Sequence, residues 1–305
     1  MEDWITISLR FALYLALAAT FGIALFGVYA FRMESRWVSV APRFARAATL
    51  GALLAMLLSI GALVALAKTL VGVETFGELN DQVFRTILFQ TPVGASWLVR
   101  LSALAAFVGI GLLSVSLKGR LTVMSGLGAV ALATLAWSGH GAMSEGMQGN
   151  LHLIADVVHL LAAGAWVGAL FAFVMLAGPR RATPQSVEVL RTLSKGFSSV
   201  GTTIVVALVV TGVLNYLAIV GANVEPIFNT RYGALLGLKL VLFAGMVVLA
   251  AANRFALTPQ LELALTTGKH LRAFKMLRRS LFVEAGLSTL VIACVAWLGV
   301  LSPGR

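Results

Sequence analysis

Eight times along this chain the sequence stays apolar long enough to cross the roughly 30 Å hydrocarbon core of a bilayer. The runs cover about 5–31, 47–70, 97–117, 121–139, 151–177, 198–220, 233–252 and 281–301. A segment in hydrocarbon must satisfy its own backbone N–H and C=O groups, so each run is predicted to be a helix. Composition agrees: only 11% of residues are charged and the mean hydropathy is +0.95, beyond the range of soluble domains. The expected fold is all-α, a polytopic membrane bundle of about eight transmembrane helices, read as a single domain over 1–305. The opening Met1-Glu2-Asp3-Trp4 lacks a basic flank, and no small-residue cleavage site follows the first run. That run is therefore read as a helix and not as a signal peptide.

A net charge of +11 would suit a nucleic-acid binder if the charges were clustered on one surface. Instead they are sorted by loop. Arg32, Arg36, Arg43 and Arg46 fall in the expected first connection, and Lys118 and Arg120 in the third. Arg180, Arg181, Arg191 and Lys195 fall in the fifth, and Arg254, Lys269, Arg272, Lys275, Arg278 and Arg279 in the seventh. The remaining connections carry Glu74, Glu78, Asp81, Glu145 and Glu225. Basic loops stay in the cytoplasm, so both termini are expected outside, on the periplasmic face. The basicity reports orientation and contact with anionic lipid rather than nucleic acid. No phosphate-binding Gly-x-x-x-x-Gly-Lys-Ser/Thr run occurs, so no nucleotide is expected. The lone Cys294 excludes an internal disulfide. The seventh connection, about 253–280, is expected to form an amphipathic interfacial helix with Leu261, Leu263, Leu265 and Leu271 on its apolar side.

Ionisable residues inside the spans point to function, because each costs roughly 2.5–3.5 kcal/mol at mid-bilayer on insertion scales. His152, Asp156 and His159 recur at helical spacing on one face of the fifth run. Asp156 and His159 lie about 6 and 10 Å deeper than His152 along the axis. His140 closes the fourth run at a similar depth, and Met143 and Met147 lie in the connection between them. Imidazole, thioether and carboxylate together form a donor set suited to copper, as Cu(I) or Cu(II). The candidate metal ligands are therefore His140, His152, Asp156, His159, Met143 and Met147, with Asp156 alternatively orienting a histidine from behind. Arg10, Arg100 and Lys239 occupy the same half of the membrane and are expected to compensate the Asp156 charge; snorkelling to the interface is their alternative role. Met56, Met124, Met175 and Met246 in the other half read as packing residues, with a thioether path for Cu(I) as the alternative.

These residues carry a family resemblance. The run Ala136-Trp137-Ser-Gly139-His140, followed by His152-x3-Asp156-x2-His159-Leu-Leu-Ala-Ala-Gly-Ala-Trp166-Val-Gly168, resembles the signature of the copper-resistance protein D family. Further matches follow in order: Gly94-x2-Trp97-x2-Arg100 upstream, then Phe197-Ser198, Thr211-Gly212-x2-Asn215, Tyr232-Gly233-x5-Lys239, Asn253-Arg254-x2-Leu257-x-Pro259, Glu284 and Leu301-x-Pro303. The match is dense over 94–303 and weak before it. The resemblance implies a bacterial inner-membrane protein of copper homeostasis that moves copper from periplasm toward cytoplasm. It also implies a small periplasmic copper-binding partner of the CopC type.

The leading expectation is thus a non-enzymatic copper importer with an outward-facing His/Met/Asp site. Two alternatives stand beside it. One is a b-type haem oxidoreductase holding its iron between histidines of facing helices, such as His140 and His152. The other is a docking partner that receives copper from a periplasmic chaperone without transporting it.

Overall fold

The computed structural model describes residues 4–34, 37–72, 77, 79–113, 116–138, 146–178, 183–221, 229–267 and 270–301. Among them the chain is almost entirely helical, with no strand. The helices are α1 (Trp4–Met33), α2 (Trp37–Val71), α3 (Asp81–Gln90), α4 (Pro92–Leu112), α5 (Leu117–Ala133), α6 (Gly146–Ala177), α7 (Pro184–Ile219), α8 (Arg231–Ala252), α9 (Thr258–Thr266) and α10 (His270–Leu298). A 3-10 turn, Thr134–Ser138, extends α5, and a π-helical stretch, Asn253–Leu257, joins α8 to α9. Eight of these units are long and apolar enough to cross a membrane: α1, α2, α4, α5, α6, α7, α10 and the α8–α9 pair. The protein is a polytopic membrane bundle.

Helix α1 is the hub. It packs on α2, α5 and α6 and touches α10, so the first and second halves of the chain share one core. Lipid tails are as apolar as leucine, and helices in a bilayer gain their association from close packing rather than from leaving water. The α1–α6 crossing shows how. A Cβ built on Gly22 would run into the backbone of Gly164 and Gly168, and one on Gly168 into Gly22 and Ile23. Only glycine lets the two backbones approach that closely. Around this crossing lie Leu17, Phe21, Phe26, Leu132 and Phe173, all buried.

Several boundaries move from where hydropathy put them. Arg43 and Arg46 belong to α2, not to a loop: they are exposed while Ala41, Phe44, Ala45 and Ala48 are buried at i, i+3, i+4 and i+7. Hydropathy averaging ends a span at such charges, whereas a helix simply turns them outward. Helix α7 likewise begins at Pro184, capped by the Thr183 hydroxyl, which accepts from the Ser186 N–H at 3.2 Å. Its first turns bury Val187, Leu190 and Leu193 and expose Lys195. Arg191 there donates to Glu188 at 2.6 Å and to Glu262 at 3.0 Å, and Lys195 to Glu262 at 3.0 Å, tying α7 to α9.

The expected interfacial stripe divides. Leu261 is fully buried and Leu265 partly so, but Leu263 and Leu271 are 69% and 57% exposed. Positions 261 and 265 share a face of α9, while 263 lies on the other side and 271 belongs to α10. Helix α3 is an addition, short and amphipathic. Asn80 caps it by accepting from the Val83 N–H at 3.1 Å, and Ile87 is its buried residue.

Candidate functional site

Helices α7 and α8 are consecutive yet make little contact with each other. Between them, backed by α6 and α10, lies a cavity of about 430 Å³. Its walls are mostly Leu, Val and Ala, and a few polar groups interrupt them: His159 from α6, Tyr216 from α7, Lys239 from α8, Ser288 from α10 and Tyr14 from α1. Trp166, Phe243 and Met246 also line it.

His159 is held in a defined way. Its Nδ1 lies 2.9 Å from the Thr211 Oγ1 on α7. The Thr211 hydroxyl has one proton, and that proton is directed at the Ala207 carbonyl at 2.6 Å. Oγ1 therefore accepts, Nδ1 carries the imidazole proton, and Nε2 keeps its lone pair. This is the arrangement by which a neighbour orients a metal-binding histidine. The ring passes beside Gly212, where an added Cβ would stand 3.6 Å from Cε1. Asp156, one turn away, accepts from Asn215 Nδ2 at 3.3 Å. Lys239 is half-buried and interacts electrostatically with both Asp156 and His159. Asp156 is thus positioned to offset the ammonium charge near the imidazole.

The other candidates lie as follows. His152 is buried two turns from His159, away from the cavity lining. Met147 begins α6 and is 81% exposed. His140 and Met143 lie outside the described residues. Arg100 is buried on α4, its Nε donating to Thr134 Oγ1 at 2.8 Å. Arg10 donates to the Tyr14 hydroxyl at 3.0 Å, and Tyr14 reaches the cavity wall. Among the described residues, no group of three or more His, Cys, Asp or Glu is gathered as a metal centre. Of the four inner methionines, Met246 alone lines this cavity. Met124 is fully buried in the main core, and Met56 and Met175 pack against that core.

Thr211 and Trp166 take parts that sequence reasoning did not assign. Thr211 and Asn215 are i,i+4 on α7 and meet His159 and Asp156, which are i,i+3 on α6. That pairing of spacings was visible, but the mutual rotation of the helices was not. Trp166 donates its Nε1–H to Glu284 Oε1 on α10 at 3.0 Å, and Asn253 Nδ2 donates to Glu284 Oε2 at 2.8 Å. Glu284 is 2% exposed. These three residues border a second cavity of about 220 Å³ toward the opposite end of the bundle.

Comparison with known proteins gives this arrangement a context. Residues 1–150 match the description "Copper resistance protein D-like, N-terminal domain", and residues 191–298 match "Copper resistance protein D". The likeness therefore extends through the first 93 residues, where motifs alone were weak. The chain is 43% identical over 305 residues to copper resistance protein D of Pseudomonas syringae pv. tomato, covering 99% of this chain and 98% of that one. It is 30% identical over 258 residues to inner membrane protein YebZ of Escherichia coli (strain K12), covering 84% and 85% respectively. It is 28% identical over 260 residues to copper transport protein CutJ of Bacillus subtilis (strain 168), covering 82% of this chain and 46% of that protein. No solved structure matches it. With eight candidate membrane spans and near-complete coverage of a copper-resistance protein, the chain belongs to the copper resistance protein D family.

Proposed function

We propose that this protein is a copper importer of the bacterial inner membrane, not an enzyme, with both termini in the periplasm. Copper is its cargo. It enters at the end of the bundle where α6 starts and α7 ends, and His159 is the capturing ligand. The observation that carries this reading is the Thr211–His159 hydrogen bond, which leaves a neutral imidazole with its Nε2 lone pair beside a cavity inside the bundle. Nitrogen of that kind binds Cu(I) and Cu(II), while Asp156 and Lys239 hold the local charge near neutral. His152 and Met147, near the start of α6, receive copper first, with His140 and Met143 as further donors. A periplasmic protein of the CopC type is the expected donor, since free copper is scarce and a docked chaperone would deliver it to that mouth. The names of the relatives, with "copper resistance", "inner membrane" and "copper transport" among them, support the same reading.

The test compares cells carrying empty vector, the wild-type protein and His159→Ala, for total copper and for a cytoplasmic copper reporter. Wild type should raise both, and His159→Ala should lower both while inserting normally. Equal copper in all three refutes import. Surface-bound copper without a reporter response would assign the protein a docking role instead. A Soret band in the purified protein would assign it haem.

A further inference from the structure

Two cavities approach each other inside the second half of the bundle, and Trp166 alone among the described residues lines both. Its indole is 4% exposed and meets the Phe243 ring edge-on at 5.7 Å. It is packed with Leu170, Ile204, Leu208 and Met246. Its one polar atom is tied to Glu284, which Asn253 holds from the other side. A hydrogen bond from a neutral donor to a buried carboxylate is among the stronger ones available to an uncharged side chain.

The second cavity has a different chemistry from the first. Besides the Glu284 carboxylate it presents oxygens that have found no partner: Asn253 Oδ1 and Ser194 Oγ are both buried without a hydrogen bond. Buried oxygens of this kind normally meet water or a cation. Arg254, at the rim, is turned aside: it donates to Thr202 Oγ1 at 2.6 Å and lies over the Phe255 ring.

We propose that Trp166 is the gate between these cavities, that Glu284 and Asn253 are the latch holding it shut, and that the second cavity is the release chamber for the cation. The proposal rests on the import reading above. A soft metal ion bound by imidazole nitrogen on one side of the indole would be held loosely by carboxylate, amide and hydroxyl oxygens on the other. Loose coordination in the second cavity would let the cation leave quickly, while the copper gradient across the membrane would set the direction of net movement. A cation that has reached Glu284 competes with the Trp166 N–H for the same carboxylate oxygen, so the gate stays unfastened until the release chamber empties. Trp166 and Glu284 act here as positioning residues.

The experiment reads access to the release chamber directly. In a Cys294→Ala background, Ser194→Cys reports from the chamber wall to a membrane-impermeant thiosulfonate. The reagent is applied either from the side on which a cysteine at Asn80 reacts or from the opposite side. The parent should react slowly from the Asn80 side and readily from the other. Adding Trp166→Phe, which keeps a ring but loses the N–H, should raise reaction from the Asn80 side about tenfold, the expected effect of losing one buried hydrogen bond. Glu284→Ala should do the same, whereas Glu284→Gln keeps an acceptor oxygen for the indole and should stay shut. Normal reaction from the opposite side checks that each variant has folded. Unchanged access in both Trp166→Phe and Glu284→Ala overturns the gate. Copper accumulation measured on the same strains separates the two readings. Uptake by wild type with unchanged access in the variants refutes the gate alone. Gated access without wild-type uptake refutes import and leaves the gate standing.

Discussion

Replacing Thr211 by valine tests the proposed capture site at one atom. Valine is nearly isosteric with threonine, and position 211 is 6% exposed, so the packing of α7 against α6 should survive. What disappears is the acceptor 2.9 Å from His159 Nδ1. In wild type that acceptor holds the proton on Nδ1 and aims the Nε2 lone pair. In the variant a methyl group faces an N–H, so the folded state loses about 1–3 kcal/mol through the unsatisfied donor. The ring can escape part of that loss by moving its proton to Nε2 or rotating, and either move removes the ligand atom. Loss of such an orienting partner weakens metal binding by about 10–100-fold, equivalent to about 1.4–2.8 kcal/mol. The assay is Cu(I) affinity of the purified protein, measured by competition with a chromogenic chelator, for wild type, Thr211→Val and Thr211→Ser. Serine restores the hydroxyl without the methyl and should return most of the affinity. If valine binds copper as tightly as wild type, Thr211 does not orient the ligand, and His159 loses its claim to be the capturing residue. If serine fails as badly as valine, packing rather than the hydroxyl is responsible.

Two further predictions concern architecture. Cysteines introduced at Ser39 or Thr183 in a Cys294→Ala background should react with an impermeant thiol reagent only after permeabilisation, and one at Asn80 should react in intact cells; ready reaction at Thr183 in intact cells reverses the proposed orientation. Gly22→Ala should destabilise the bundle by about 1–3 kcal/mol or more, because its methyl meets backbone on α6. Gly286→Ala, whose methyl would meet nothing within 4 Å, should be neutral or slightly stabilising. Thermal aggregation in detergent compares the two, and equal loss in both would refute the close α1–α6 crossing.

The number and type of the membrane helices were readable from sequence because hydrocarbon leaves a long apolar segment one way to satisfy its backbone. The same is true of the common face of His152, Asp156 and His159, since residues four and three apart on one helix must share a side. Family membership was legible as well, through spaced motifs that survive without any knowledge of packing. Helix ends were read less well: Arg43, Arg191 and Lys195 interrupt hydropathy without interrupting a helix. What no local pattern carried was which face meets which neighbour. Arg10, Arg100 and Lys239 look alike in sequence, each a lone base in one half of the membrane. In the bundle Arg10 meets Tyr14, Arg100 meets Thr134, and Lys239 lies near Asp156 and His159. The hydroxyl that orients His159 is 52 residues away, and Trp166 and Glu284 are 118 apart. Those pairs depend on how helices rotate about their axes and where they cross. That is decided by close contacts such as Gly22 on Gly168, summed over the whole bundle, and so it belongs to the tertiary structure.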